Sequence, residues 1–144
     1  MIDSTKTKSL PRGIRNNNPL NIRKGCSWKG ETQVSGDTDF ETFVSMQYGI
    51  RAAFVLFRNY ISGWNGKAKP LNTIRKIVTR WAPPSENATA RYIDIVSRRT
   101  GILPDEPLKF RDRRRMIDIA KAMAWVECGQ EIDTSMFESA YDLL

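Results

Sequence analysis

Beyond residue 45, apolar side chains recur about every three to four positions, which predicts a series of amphipathic helices. From Met46 to Ser62, Ile50, Ala53, Phe54, Phe57 and Ile61 share one face, and Gly63 supplies a stop. Asn72 to Trp81 repeats the design with Ile74, Ile77, Val78 and Trp81, and Pro83-Pro84 ends it. Asn87 to Thr100 carries Tyr92, Ile93 and Val96, with Asn87 as a cap and Gly101 as the terminator. Asp112 to Cys128 is the longest strong helix, with Met116, Ile119, Ala120, Met123 and Ala124 as its stripe and Gly129 where a left-handed cap belongs. A final short helix starts at Ser135, which pairs with Glu138 as a capping box.

The first third reads differently. Residues 1–11 are polar and basic and end in Pro11, a pattern that predicts a flexible tail. Residues 12–45 are loop-rich, with Gly25, Gly30 and Gly36, and short β-like runs at Ser27 to Thr32 and Asp39 to Val44. The segment Arg12-Gly-Ile-Arg-Asn-Asn-Asn-Pro-Leu-Asn-Ile-Arg23 is poor material for a regular element. Asn and Gly tolerate left-handed backbone, Asn amides bond to the nearby main chain, and Pro19 forbids a helix across Asn18. An ordered polar loop follows, dense in amides that suit a polyhydroxyl or amide-rich ligand. The expected architecture is mainly α with a small β element in the N-terminal third: a tail over 1–11 and one domain over 12–144.

Composition narrows the chemistry. The chain has 144 residues and no apolar run of membrane-spanning length. Its start has no apolar stretch of signal-peptide length, so synthesis in a host cytoplasm without that export route is expected. Cys26 and Cys128 lie far apart and form no CxxC pair, which favours reduced thiols. The net charge of +7 favours anionic partners. The densest basic groups are Arg98-Arg99 and Arg111-Asp-Arg-Arg-Arg115. They lack interleaved aromatics and read as solvated helix faces, which disfavours nucleic acid as the partner. There is no histidine. That removes Ser-His-Asp and Cys-His nucleophilic sites and histidine-ligated zinc hydrolase sites, leaving carboxylate chemistry.

The Arg12–Arg23 block is followed by Trp28-Lys-Gly30, Phe40-Glu-Thr-Phe43, Gly49-Ile-Arg-Ala-Ala53, Trp81-Ala-Pro-Pro-Ser-Glu-Asn-Ala-Thr89 and Tyr92-Ile93. Together these resemble a family of phage and prophage virion proteins described as structural proteins or lysozyme-like wall hydrolases. Its pattern runs RGIRNNNPxNIR, WxG, FxxF, GIRA, WAPPxENxT, YI and a closing HENG. In place of HENG this chain has Val126-Glu-Cys-Gly129. The first half is also similar, more distantly, to the glucosaminidase arrangement of NLFGIK, WxG and FxxY. The resemblance implies a lysozyme-like fold and a role facing bacterial peptidoglycan, at the cell wall or in a virion with other virion proteins.

Glycoside cleavage needs only carboxyl groups. Glu127 continues the apolar stripe, four residues after Met123 and seven after Ala120, and sits in the last helical turn. Desolvation and the negative helix end both disfavour its ionised form, which suits a general acid. Glu86, before the helix beginning at Asn87, meets a positive helix end that lowers its pKa and suits a base or electrostatic stabiliser. Asp37, Asp39 and Glu41 are secondary carboxylates. The expected ligand-binding residues are Asn16, Asn17, Asn18, Asn21 and Asn87 for amide contacts, Arg15 and Arg23 for carboxylates, and Trp28 for a sugar face. Trp81 falls on a core stripe and is expected to be buried.

The reading is glycan-strand cleavage of peptidoglycan by a muramidase, lytic transglycosylase or glucosaminidase mechanism. The alternative is a non-catalytic virion structural or wall-binding protein, and a weaker third is a basic DNA-associated virion protein. No cofactor is expected, and no Asp/Glu spacing suggests a calcium loop. Chelator treatment should therefore leave turnover of peptidoglycan unchanged, and loss with recovery on adding one divalent ion would contradict this.

Overall fold

A computed structural model describes residues 10–33, 36–85 and 88–144. Among these residues the secondary structure is helical: α1 Arg12–Arg15, α2 Met46–Gly66, α3 Ile74–Trp81, α4 Thr89–Thr100, α5 Arg113–Cys128 and α6 Thr134–Asp142. Most of the expected tail falls outside the described residues, as do Glu86 and Asn87.

The helices follow the apolar periodicity, and their ends follow local capping chemistry. Ser45 caps α2 through its side chain. The regular part of α2 ends at Ser62, because Gly63, Trp64 and Asn65 take left-handed backbone with φ of 60°, 53° and 60°. Thr73 caps α3 by accepting from the Lys76 N–H, so that helix begins at Ile74 rather than at Asn72. Asp112 accepts from the Arg115 N–H and starts α5. The last helix corrects the expected capping box. Asp133 accepts from the Ser135 N–H and is the cap, which places Ser135 inside the first turn. Asp is at least as good a cap as Ser, and it comes first in the chain.

Two corrections concern the first third. Arg12–Arg15 forms a one-turn helix behind Pro11, where only loop was expected. Pro is well suited to the approach to a first helical turn because its missing N–H is not needed there. The small β element is reduced, among the described residues, to two isolated antiparallel bridges, Arg23 with Phe40 and Glu31 with Phe43. The segment around Phe40 pairs with both neighbours over short stretches (Glu41 N–H to Ile22 C=O, Thr32 N–H to Thr42 C=O). The next ladder bond, Ile22 N–H to Glu41 C=O, is replaced by a side chain: the Asn18 amide accepts from the Ile22 N–H at 2.9 Å and donates to the Glu41 carbonyl at 3.0 Å.

Packing joins these parts around one apolar cluster running from Leu20 to Ala140. α2 packs against α6, α4 against α3 and α5, and the one-turn α1 sits against α5. Phe54, Phe57 and Phe137 are fully buried, and each such side chain is worth roughly 1.5–3 kcal/mol of transfer free energy. Phe54 meets Phe57 and Tyr141 edge-on, with centroids 6.1 and 5.3 Å apart.

Gly49, inside α2, is where the asparagine loop meets the helical core. A Cβ there would run into the Asn17 carbonyl oxygen and crowd the Asn18 Cα. Alanine in a helix is ordinarily better than glycine by about 1 kcal/mol. Here the obstacle is backbone, which cannot rotate away. Gly49→Ala should therefore destabilise, by about 1–3 kcal/mol as an overpacked site, measured by denaturant unfolding. A stabilised variant would show that the loop is not pressed against α2.

Candidate functional site

Glu127 stands in the last turn of α5, immediately before Cys128 and the left-handed Gly129 (φ 70°) that ends the helix. The carboxylate is held at both oxygens. Asn21 Nδ2 donates to Oε1 at 2.9 Å, and the Tyr92 hydroxyl donates to Oε2 at 3.0 Å. The donors come from remote parts of the chain, Asn21 from the loop and Tyr92 from the buried face of α4. Asn21 has a positive φ of 55°, a conformation that Asn tolerates and that β-branched residues resist. The Trp81 indole N–H donates to the adjacent Leu20 carbonyl at 3.0 Å and ties this loop to the end of α3.

Burial raises the Glu127 pKa above the ordinary value of 4.5. Hydrogen bonds from Asn21 and Tyr92 and the charge of Arg23 pull the other way, and desolvation wins. Tyr92 is itself pushed well above 10.0, by burial first and the neighbouring carboxylate second, so it remains a donor.

Glu127 lines two hollows. The larger, about 400 Å³, has one wall from the loop (Asn21, Ile22, Arg23, Cys26, Trp28, Phe40) and another from α2 and α3 (Leu56, Tyr60, Arg80, Trp81, Ala82). The smaller, about 250 Å³, lies between α4 and α5 and is lined by Ala88, Arg91, Tyr92, Ile95 and Val126. Among the described residues Glu127 is the only carboxylate lining either.

Of the residues expected at the site, the structure brings together Glu127, Asn21, Arg23 and Trp28. Asn16, Asn17 and Asn18 line neither hollow. Asn18 is fully buried, with its amide spent on Ile22 and Glu41. Asn17 (φ 53°) donates to the Phe43 carbonyl, and Asn16 donates to Asp37. Their amides brace the loop. Arg15 is exposed and lines neither hollow. Asp37 and Asp39 are engaged by Arg12 at 2.5 and 3.2 Å, and that guanidinium holds Asp37 well below the usual carboxylate range. Cys26 is exposed, Cys128 is buried, and the two are not bonded to each other.

Other residues escaped the sequence. Trp81 was expected in the core but is half-buried, packed edge-on with Phe57 and lining the hollow. Tyr92 was legible as part of an apolar stripe and of the Tyr92-Ile93 block of the resemblance, but nothing local tells a buried tyrosine which acceptor it finds. Arg80 follows the stripe of α3 at its edge, a weak signal that it reaches the same hollow as Arg23. The basic cluster at Arg113–Arg115 is engaged by Asp142, Asp118 and Glu106.

No family model matches the chain. Over 108 residues it is 39% identical to Protein P5 of Pseudoalteromonas phage PM2, an alignment covering 72% of this chain and 64% of that protein. The chain is thus similar to a phage protein, and spans less than two thirds of its length. None of the described helices is long and apolar enough to cross a membrane.

A second buried carboxyl group, Glu41, follows Phe40 of the larger hollow's wall. Glu41 is 3% exposed and its Oε2 has no partner. Its neighbour Glu31 accepts from the Trp28 N–H at 3.0 Å. Burial first, and then Glu31, raise the Glu41 pKa above 4.5, against an opposing pull from Lys24. A carboxyl raised in the folded state contributes most stability below its unfolded pKa and loses it as pH rises through the folded one. Glu41→Gln keeps the shape and cannot ionise. Its melting temperature relative to the unmutated protein should therefore rise as pH increases beyond 4.5. A difference independent of pH would contradict a raised pKa at Glu41.

Proposed function

We propose that this cleft binds a strand of bacterial peptidoglycan and that Glu127 is the acid that protonates the glycosidic oxygen, on a lysozyme-like helical scaffold. One observation carries the reading: a carboxyl group with a raised pKa is fastened by Asn21 and Tyr92 between two hollows of about 400 and 250 Å³. A polymer cut in mid-chain needs room on both sides of the acid. A raised pKa keeps the proton on the carboxyl nearer neutral pH, where a glycosidase acid works. The half-buried Trp28 and Trp81 line the larger hollow and offer apolar surface to sugar rings.

With Glu127 alone among the described carboxylates, a lytic transglycosylase step fits best. The same carboxyl gives its proton to the leaving oxygen and then, as carboxylate, takes the proton of the sugar's own attacking hydroxyl, so that an anhydro end forms without water. Glu86, the expected second carboxylate, lies outside the described residues. A muramidase or glucosaminidase route would use it as the base.

A second reading is a non-catalytic virion protein that uses the cleft to bind the wall. The likeness to a phage protein whose name carries no activity favours it.

Incubation with purified sacculi followed by mass analysis separates these readings. Anhydro ends mark a transglycosylase, reducing N-acetylmuramic acid a muramidase, and reducing N-acetylglucosamine a glucosaminidase. Glu127→Gln preserves the side-chain shape and removes the transferable proton. It should lower turnover at least about a hundredfold while leaving the melting temperature and sedimentation with sacculi unchanged. If the unmutated protein sediments with sacculi and releases nothing, the non-catalytic reading holds.

A further inference from the structure

Half of the arginines in this chain are engaged by carboxylates. Arg12 is held by Asp37 and Asp39, Arg75 by Asp105, Arg98 by Asp94, Arg99 by Glu131, and Arg113 to Arg115 by acids of their own. Among the arginines without such a partner, Arg23 and Arg80 are the two that line the larger hollow. Neither is in an ion pair among the described residues, and both are exposed at the rim of the larger hollow, on opposite walls.

Both are nonetheless held in place. The Arg23 guanidinium lies over the Phe40 ring at 5.1 Å. Arg80 lies over Trp64 at 5.4 Å and Tyr60 at 5.9 Å. Stacking on a ring face orients a guanidinium without consuming its N–H donors or neutralising its charge, which an ion pair would do. The Trp64 ring is presented at a conformational cost, since this residue has φ 53° in the left-handed region that bulky side chains avoid. Tyr60 and Trp64 pack edge-on at 5.5 Å and make one aromatic seat for Arg80.

We infer that Arg23 and Arg80 are the specificity-determining residues of this cleft, a pair of oriented cations that select a carboxylate-bearing glycan over a neutral one. The inference rests on the glycan reading above and adds the charge of the ligand. Planar guanidinium groups match carboxylates through two parallel N–H donors. The hollow presents two of them beside an acid whose ionised form is disfavoured, so an anion entering it meets net attraction. A neutral amino-sugar polymer fills the same aromatic walls and leaves both cations unanswered. Two sources of carboxylate exist on a wall strand: the lactyl ether of the muramic sugar once its peptide is removed, and the acidic groups of the peptide stem.

The test is direct binding by calorimetry at low salt, using the Glu127→Gln protein so that no ligand is turned over. Three probes are compared: peptide-bearing wall fragments, the same glycan stripped of peptide, and a neutral N-acetylglucosamine oligomer of equal length. At least one carboxylate-bearing probe should bind about tenfold or more tightly than the neutral oligomer, as one charged hydrogen-bonded contact implies. Which one does identifies the source of the carboxylate. Arg23→Gln and Arg80→Gln, each checked for an unchanged melting temperature, should each lose that preference while leaving the neutral oligomer unaffected. Equal affinity for all three probes overturns the inference and leaves the glycan reading standing. Absence of binding to any probe overturns both. A preference that survives in both arginine variants assigns the selectivity elsewhere and also overturns the inference.

Discussion

The buried amide of Asn18 is the interaction on which the rest of the molecule depends. It is fully enclosed, accepts from the Ile22 N–H at Oδ1, and donates through Nδ2 to the Ile22 and Glu41 carbonyls. Its backbone N–H reaches Gly13, and its carbonyl receives Asn21. One residue thereby satisfies buried polar groups from several parts of the N-terminal third, where the described residues form no sheet to do so. An unsatisfied buried donor or acceptor costs about 1–3 kcal/mol, so several in one place are a large fraction of a domain's stability. The close approach of Gly49 to the Asn17 and Asn18 backbone then fixes this knot on α2.

From the knot, order passes to the acid. Asn21 follows Asn18 by one tight turn, and its left-handed backbone turns the amide toward Glu127. Trp81 clamps Leu20 from the other side. The loop, α3, α4 and α5 therefore meet at one carboxyl group. Each hydrogen bond there favours the charged form, yet burial outweighs them. The result is a carboxyl that is oriented by its partners and whose pKa is raised by its surroundings, two properties that are usually in competition.

Charge is arranged with the same economy. An excess of cations invites an anionic partner, but half of the arginines are matched by acids on the surface. Exposed pairs of that kind add little stability, typically below about 1 kcal/mol. Of the unmatched guanidinium groups, those of Arg23 and Arg80 line the larger hollow. Stacking on Phe40 and on the Tyr60–Trp64 seat holds those groups still.

The sequence by itself determined the helices, because an amphipathic stripe and its stop signals are local: Gly63 and Gly129 act within one turn. It also singled out Glu127, since a carboxylate on an apolar stripe is visible in spacing alone. It excluded histidine chemistry outright. What tertiary structure decided was which polar groups meet. The adjacent asparagines look alike in sequence, yet Asn18 is buried architecture and Asn21 touches the acid, because burial and partner depend on α2, α4 and α5 packing around the loop. The β-like runs failed to become a sheet for the same reason, as the Asn18 amide takes the Ile22 N–H and the Glu41 carbonyl that a ladder would need. Tyr92 and Trp81 read as core because an apolar stripe records only which face is turned inward. The acceptors of their O–H and N–H groups, Glu127 and the Leu20 carbonyl, lie 35 and 61 residues away along the chain.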